Sequence, residues 1–297
     1  MPARQTPGAA ALGSREMRTR RRTPPRPPRR RAGWYDAGAA PPPLAAPPKT
    51  LPMIDALPPF PGLSDDGLQF LRELREHNDR EWFAPRKATY EDEVREPMRM
   101  LAADLSRRLP ERGLPLGGAP KKSVFRIYRD VRFSRDKSPY KTHASLALGR
   151  GGDRKAPGAL YVQVAPGASL VGGGFWRPER RLLRRWRERM VAEPDAFLDI
   201  ADDLRAAGLR FQATGDTSKG DGAANLLKRM PRGFQEWADS PVADYLRWKG
   251  GFAAFRDDVP DAVVQTPAFA DLAVETAEAL RPLLEYGWAL VDEAPGA

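Results

Sequence analysis

Along the chain, apolar positions recur first at helical spacing, then in short alternating runs, then at helical spacing again. Folded-looking sequence opens at Phe60. Ser64-Asp65-Asp66 is an N-cap signature, and Leu68, Leu71 and Leu74 line one face of a helix predicted to stop near Asn78. A short second helix is predicted from Asp79 through Trp82 and Phe83. After Pro85 a third runs towards Leu109, with Tyr90, Val94, Met98, Leu101 and Leu105 on one side and Pro97 kinking or splitting it.

The pattern then changes period. Between 122 and 141 the odd positions Phe125, Ile127, Val131 and Phe133 are apolar, with Arg129 interrupting, and the even positions are Arg126, Tyr128, Asp130 and Arg132. Alternation of this kind predicts a strand with one packed and one polar face, ended by Ser138-Pro139. Further strands are predicted at 145–148, 160–165 and 169–176, the first two joined as a hairpin by the glycine-rich loop 149–158. Helical spacing returns at Leu182, Leu183, Trp186 and Met190, and again over 194–206. A strand at 209–213, a loop at 215–222, a basic turn at 228–233, a short helix at 242–248, a strand at 252–256 and one closing helix at 267–290 complete the reading. Strands that follow one another without intervening helices predict an antiparallel sheet, hence an α+β fold with helices flanking a central sheet.

Composition and charge refine this. Residues 1–56 form a Pro-, Ala- and Arg-rich segment with almost no aliphatic periodicity, expected to be a disordered tail, and 57–293 are expected to form a single α+β domain. The twin arginines at 20–22 are followed by prolines, not by the apolar stretch of an export signal. Met53 stands just before the first folded segment, where an alternative start of translation is expected. The net charge of +10 belongs almost wholly to the tail. Residues 1–52 hold ten arginines and Lys49 against Glu16 and Asp36, a net of +9, which leaves +1 for the remainder. A nucleic-acid partner is therefore disfavoured, and any cationic site must be local. No apolar run reaches the roughly 20 residues of a membrane helix. The absence of cysteine excludes disulfides and thiol chemistry and fits a reducing cytoplasm.

The chemistry concentrates in 122–141, where seven basic residues, two aspartates and two tyrosines occupy twenty positions. Arg126, Arg129, Arg132, Lys137 and Lys141, with Lys228 beyond them, are the candidate anion ligands, since guanidinium forks suit phosphate and carboxylate. Tyr128 and Tyr140 are candidates for hydroxyl contacts or stacking. Asp130, Asp136 and His143 are the candidate proton-transfer groups. The same residues fit a second reading, in which Asp130 and Asp136 pair with the arginines as a structural lattice and His143 is structural. Two aspartates with arginines between them are not a specific Mg²⁺ signature, and no metal or cofactor is expected. His77 meets the dipole at the end of the first helix, Asn78 or Asp79 caps the second, and Arg80 is free to reach the central stretch. Gly172-Gly173-Gly174 lacks dinucleotide-loop spacing and marks a bulge or close backbone approach, making room beside the arginine face.

Four motifs together carry a family resemblance: Phe70-Leu71 through Asn78 to Trp82-Phe83, the run from Phe125 to Thr142, Gly172-Gly173-Gly174-Phe175-Trp176 with Pro178, and Lys228, Pro231 and Gly233. With these the chain resembles the bacterial and fungal family catalogued as domain of unknown function 2461, from about Phe60 to about Leu290. The resemblance implies an α+β fold and a set of characteristic positions, without a reaction. Where such proteins usually carry Asp-His-Pro this chain has Asp239-Ser240-Pro241, which weakens any mechanism needing a histidine there. The expectation is a protein binding a small phosphorylated or carboxylated ligand at an Arg/Asp/Tyr-rich site, as an enzyme or not. The alternative is a non-catalytic nucleic-acid or protein-binding module.

Overall fold

The computed structural model describes residues 57–132, 134, 136–215 and 225–293. The expected tail, Met53, Phe133 and most of the loop at 215–222 lie outside them. Ser64 caps α1 (Asp65–Glu76), its Oγ accepting from the Gly67 amide at 3.0 Å, and Leu68, Leu71 and Leu74 are fully buried. Asp79 caps α2 (Arg80–Phe83) in the same way, accepting from the Trp82 amide at 2.8 Å. The third predicted helix is present but broken: a 3-10 turn (Ala84–Arg86), α3 (Lys87–Thr89), a π-helical turn (Tyr90–Arg95) and α4 (Glu96–Glu111). Pro97 accounts for the break, since proline donates no hydrogen bond and its ring collides with the carbonyl four residues back, here Glu93, so the turn before it widens. That carbonyl crowds α1. A Cβ at Gly67 would lie 2.3 Å from it, so only glycine lets the two helices approach.

Beyond α4 come β1 (Leu116–Gly117), α5 (Pro120–Ser123), β2 (Ala144–Arg150), β3 (Ala159–Val164) and β4 (Ser169–Phe175). Then follow α6 (Arg180–Ala192), α7 (Pro194–Ala206), β5 (Arg210–Ala213), α8 (Ala243–Leu246), β6 (Phe252–Val259), α9 (Asp261–Val264), α10 (Ala268–Ala279) and α11 (Arg281–Asp292). The strands form one sheet in the order β1-β2-β3-β4-β6-β5, antiparallel at every step. The fold is α+β.

β3 alternates strictly: Leu160, Val162 and Val164 are buried, Ala159, Tyr161 and Gln163 half-buried. Leu160 and Val162 stand opposite Gly173 and Val171 of β4, so these residues share a face. The helices cover that face, with Leu280 against Gly173 and Trp186 against Phe175. The hydrophobic core is one cluster running from Phe60 to Leu290.

Three expectations are corrected. The stretch at 125–133 is not a regular strand, for reasons given below. The closing helix is two helices meeting at Leu280, because Pro282 falls in the first turn of α11 and cannot continue the hydrogen-bond ladder of α10. The glycines of β4 make room for neighbours other than the arginine motif: a Cβ at Gly172 would meet Phe255 of β6, and one at Gly173 would meet Leu280.

Candidate functional site

The run from 124 to 142 is built from two separate pairings. Val124 bridges Leu146, and the Phe125 amide donates to Ser145 at 2.9 Å, so this end continues the outer edge of β2 begun by β1. Three residues on, Tyr128 bridges Tyr140 instead: Arg129 N–H donates to the Pro139 carbonyl at 2.8 Å, and Lys141 N–H to the Ile127 carbonyl at 2.7 Å. The chain changes partner at Arg126 and Ile127, and a single ladder never forms. The even residues Arg126, Tyr128, Asp130 and Arg132 are nonetheless exposed, as alternation predicted, while Ile127 is buried.

Asn78 fixes this small hairpin to the helices. Its side-chain amide donates to the Tyr140 carbonyl and accepts from the Tyr140 amide, both at 3.0 Å, which completes the backbone hydrogen bonding of that residue. Beneath it Phe83 stacks on Tyr140 with ring centroids 4.1 Å apart, and Phe70, Trp82, Tyr90 and Tyr128 extend the aromatic cluster. Burial raises the Tyr140 hydroxyl above its usual range and pushes the Tyr90 hydroxyl up to about 12. Neither phenol is ionised near neutrality.

The hairpin loop holds most of the predicted site and uses its charges on itself. Asp130 takes a two-pronged contact from Arg132, Nε and Nη2 at 2.9 and 2.7 Å, and that hydrogen bonding draws its carboxyl down to about 2. Asp136 accepts from the Ser138 hydroxyl and amide and from Arg129 at 2.5 Å, contacts that hold its carboxyl far below the ordinary value. Lys137 Nζ donates to the Val131 carbonyl at 3.0 Å. These groups are largely exposed, so the network shapes the loop more than it stabilises the fold. Lys137 also lines, with Asn78, Arg80 and Ser138, a shallow concavity of about 580 Å³.

The remaining cations lie elsewhere. A groove of about 890 Å³ is bounded by α5, residues 124–128, Lys141 and the β2–β3 loop, and it gathers Lys121, Lys122, Arg126, Lys141, Arg154 and Lys155. Among the described residues no carboxylate oxygen lies within 4.0 Å of a side-chain nitrogen of any of the six. The one carboxylate in the lining, Asp153, accepts from the Lys155 amide. Phe125 forms the apolar wall: Lys141 Nζ lies 5.2 Å and the Arg154 guanidinium 4.7 Å from its ring centroid. Burial first, then the nearby charges of Arg126 and Arg154, lowers the Lys141 ammonium below its usual range.

His143 and Lys228 stand apart from the groove lining. His143 is half-buried and pushed down to about 4 by burial and by Lys141, so at neutral pH its imidazole is uncharged. The unfolded chain binds that proton near 6.5, hence stability falls as pH drops from about 6.5 towards 4. His143→Gln should flatten this limb when urea midpoints of the two proteins are compared across that interval. Lys228 is exposed on the segment after the Leu226–Trp248 bridge. Among the described residues no three His, Asp or Glu side chains converge as a metal site requires, and no helix is long and apolar enough to cross a membrane.

A family model described as a conserved hypothetical protein (DUF2461) matches residues 66–286. The chain belongs to this family. No curated protein and no solved structure matches it. Within the matched region, the stretches at 70–83 and 125–142 meet through Asn78, Phe83 and Tyr140.

Sequence reasoning missed Lys121, Lys122, Arg154 and Lys155 as site residues. The last two belong to the predicted hairpin loop, and no sequence signal shows that this loop folds back so that Asp153 and Arg154 lie against Gly149.

Proposed function

We propose that this groove binds a small anionic ligand, phosphorylated or carboxylated. The observation that carries the reading is the set of six cations around one concavity with no acidic side chain in ion-pair reach, beside a loop whose arginines are internally paired. Guanidinium and ammonium groups left in this state offer charge-assisted hydrogen bonds that no internal carboxylate competes for. Asp130 and Asp136, held by Arg132, Arg129 and Ser138, shape the hairpin that presents Arg126 and Lys141. The test is calorimetric titration of the full-length protein with inorganic phosphate and with citrate. Arg126 is exposed and bears no structural hydrogen bond, so Arg126→Ala should remain folded and weaken binding about tenfold, near the contribution of one charged hydrogen bond. Wild-type protein that binds neither anion, or a variant that binds as well as wild type, would overturn the reading.

A second reading draws on Tyr128, 55% exposed in the lining of this cationic groove, as a stacking surface for a single-stranded nucleic acid. It requires the affinity for an oligonucleotide to fall steeply and linearly in log–log form with salt. The near-neutral charge of the chain beyond residue 52 weighs against it.

A further inference from the structure

We infer that the ε-amine of Lys141 is a nucleophile that condenses with the carbonyl of an anionic aldehyde or ketone held in the groove. The inference rests on the groove being an anion site and adds a reaction to it.

Position carries it first. Lys87, Lys121, Lys122, Lys137, Lys155, Lys228 and Lys249 are all exposed, so Lys141, half-buried, is the one lysine among the described residues withdrawn from solvent. Its backbone is pinned by the bond from its amide to the Ile127 carbonyl at 2.7 Å, next to the residue that Asn78 holds. Its side chain therefore starts from a fixed point in the groove wall.

The surroundings carry it further. Lys141 Nζ faces the Phe125 ring at 5.2 Å, Arg154 lies over the same ring at 4.7 Å, and Arg126 stands in the same lining. Partial burial removes water that would solvate an ammonium ion, and two guanidiniums repel it, against the weaker attraction of the Phe125 ring face, which Arg154 shares. Both effects favour the free amine, the nucleophilic form. The lowered basicity of Lys141 agrees with this geometry. The same guanidiniums are suited to grip the anionic end of a substrate and bring its carbonyl to the amine.

The step is balanced without an oxidant or reductant. The free amine attacks the carbonyl carbon and a C–N bond forms. The nitrogen gives up two protons, the carbonyl oxygen takes up two, and it leaves as water with formation of the C=N double bond.

The experiment uses pyridoxal phosphate as an anionic aldehyde probe on the full-length protein, with cyanoborohydride reduction of the imine and peptide mass mapping. Lys141 should be labelled at least about tenfold faster than any exposed lysine, since the groove both favours its free amine and holds the probe's phosphate beside it. Lys141→Arg should lose this adduct while the slow labelling of the exposed lysines stays as in wild type. Label spread evenly over the exposed lysines, in a wild-type protein that does bind phosphate, would overturn the inference and leave the anion site standing. Labelling of Lys141 by pyridoxal as fast as by its phosphate would support the nucleophile and remove the anion site.

Discussion

Replacement of Trp186 by alanine is expected to lower the unfolding free energy by about 4 kcal/mol, the range found when a large aromatic side chain is cut from a packed core. Trp186 is fully buried, stacks on Phe252 with ring centroids 4.4 Å apart and meets Phe175 edge-on at 5.3 Å. Phe197 and Tyr286 close the remaining sides at 6.2 and 5.0 Å, so little is free to collapse into the space. Its indole N–H has no hydrogen-bond partner, and the whole loss is therefore one of packing. Trp186→Phe removes the unpartnered donor along with part of the ring and should cost much less. Equilibrium urea unfolding of the three proteins checks both statements. Phosphate affinity of the folded variants should be unchanged, since no residue of this cluster lines the groove.

Asn78→Ala should be nearly as destabilising and should reach the groove as well. The side chain makes two hydrogen bonds to the backbone of one residue, Tyr140, and deleting it leaves a buried donor and a buried acceptor without partners. At about 1–3 kcal/mol for each orphaned group, the loss is about 3 kcal/mol. Asn78→Asp keeps the acceptor and loses the donor, so it should fall between wild type and alanine. Because Lys141 follows Tyr140 directly, the alanine variant should also bind phosphate more weakly than wild type at temperatures where it is still folded. A variant destabilised to this extent with unchanged phosphate affinity would separate the hairpin from the groove.

What the sequence made legible follows from how local each signal is. Ser64 and Asp79 were readable as caps because a cap and its helix lie within four residues of each other. The hairpin of β2 and β3 and the helix at Pro194–Ala206 were readable for the same reason. Pro282, which divides the closing helix, is an equally local signal. Exposure along 126–132 was legible from alternation, but its cause was not, because alternation does not reveal that Val124 and Tyr128 bridge different segments. Asn78 was readable as a capping residue, and its contact across 62 positions to Tyr140 was not. The site divided along the same line. The pairs Arg132–Asp130 and Arg129–Asp136 join residues close in sequence, whereas the groove needs Lys121, Lys141 and Arg154 brought together by tertiary folding.

The lack of any carboxylate paired with the groove's cationic side chains has a consequence for the protein without ligand. Like charges held side by side repel, and the packing that anchors Phe125 and the Tyr140 hairpin has to hold them in place. An anion that enters cancels that repulsion as it binds. At a concentration a hundred times its dissociation constant, such a ligand raises the unfolding free energy by about 2.7 kcal/mol. Occupancy of the groove and resistance to unfolding are then one equilibrium, and a change in either is a measure of the other.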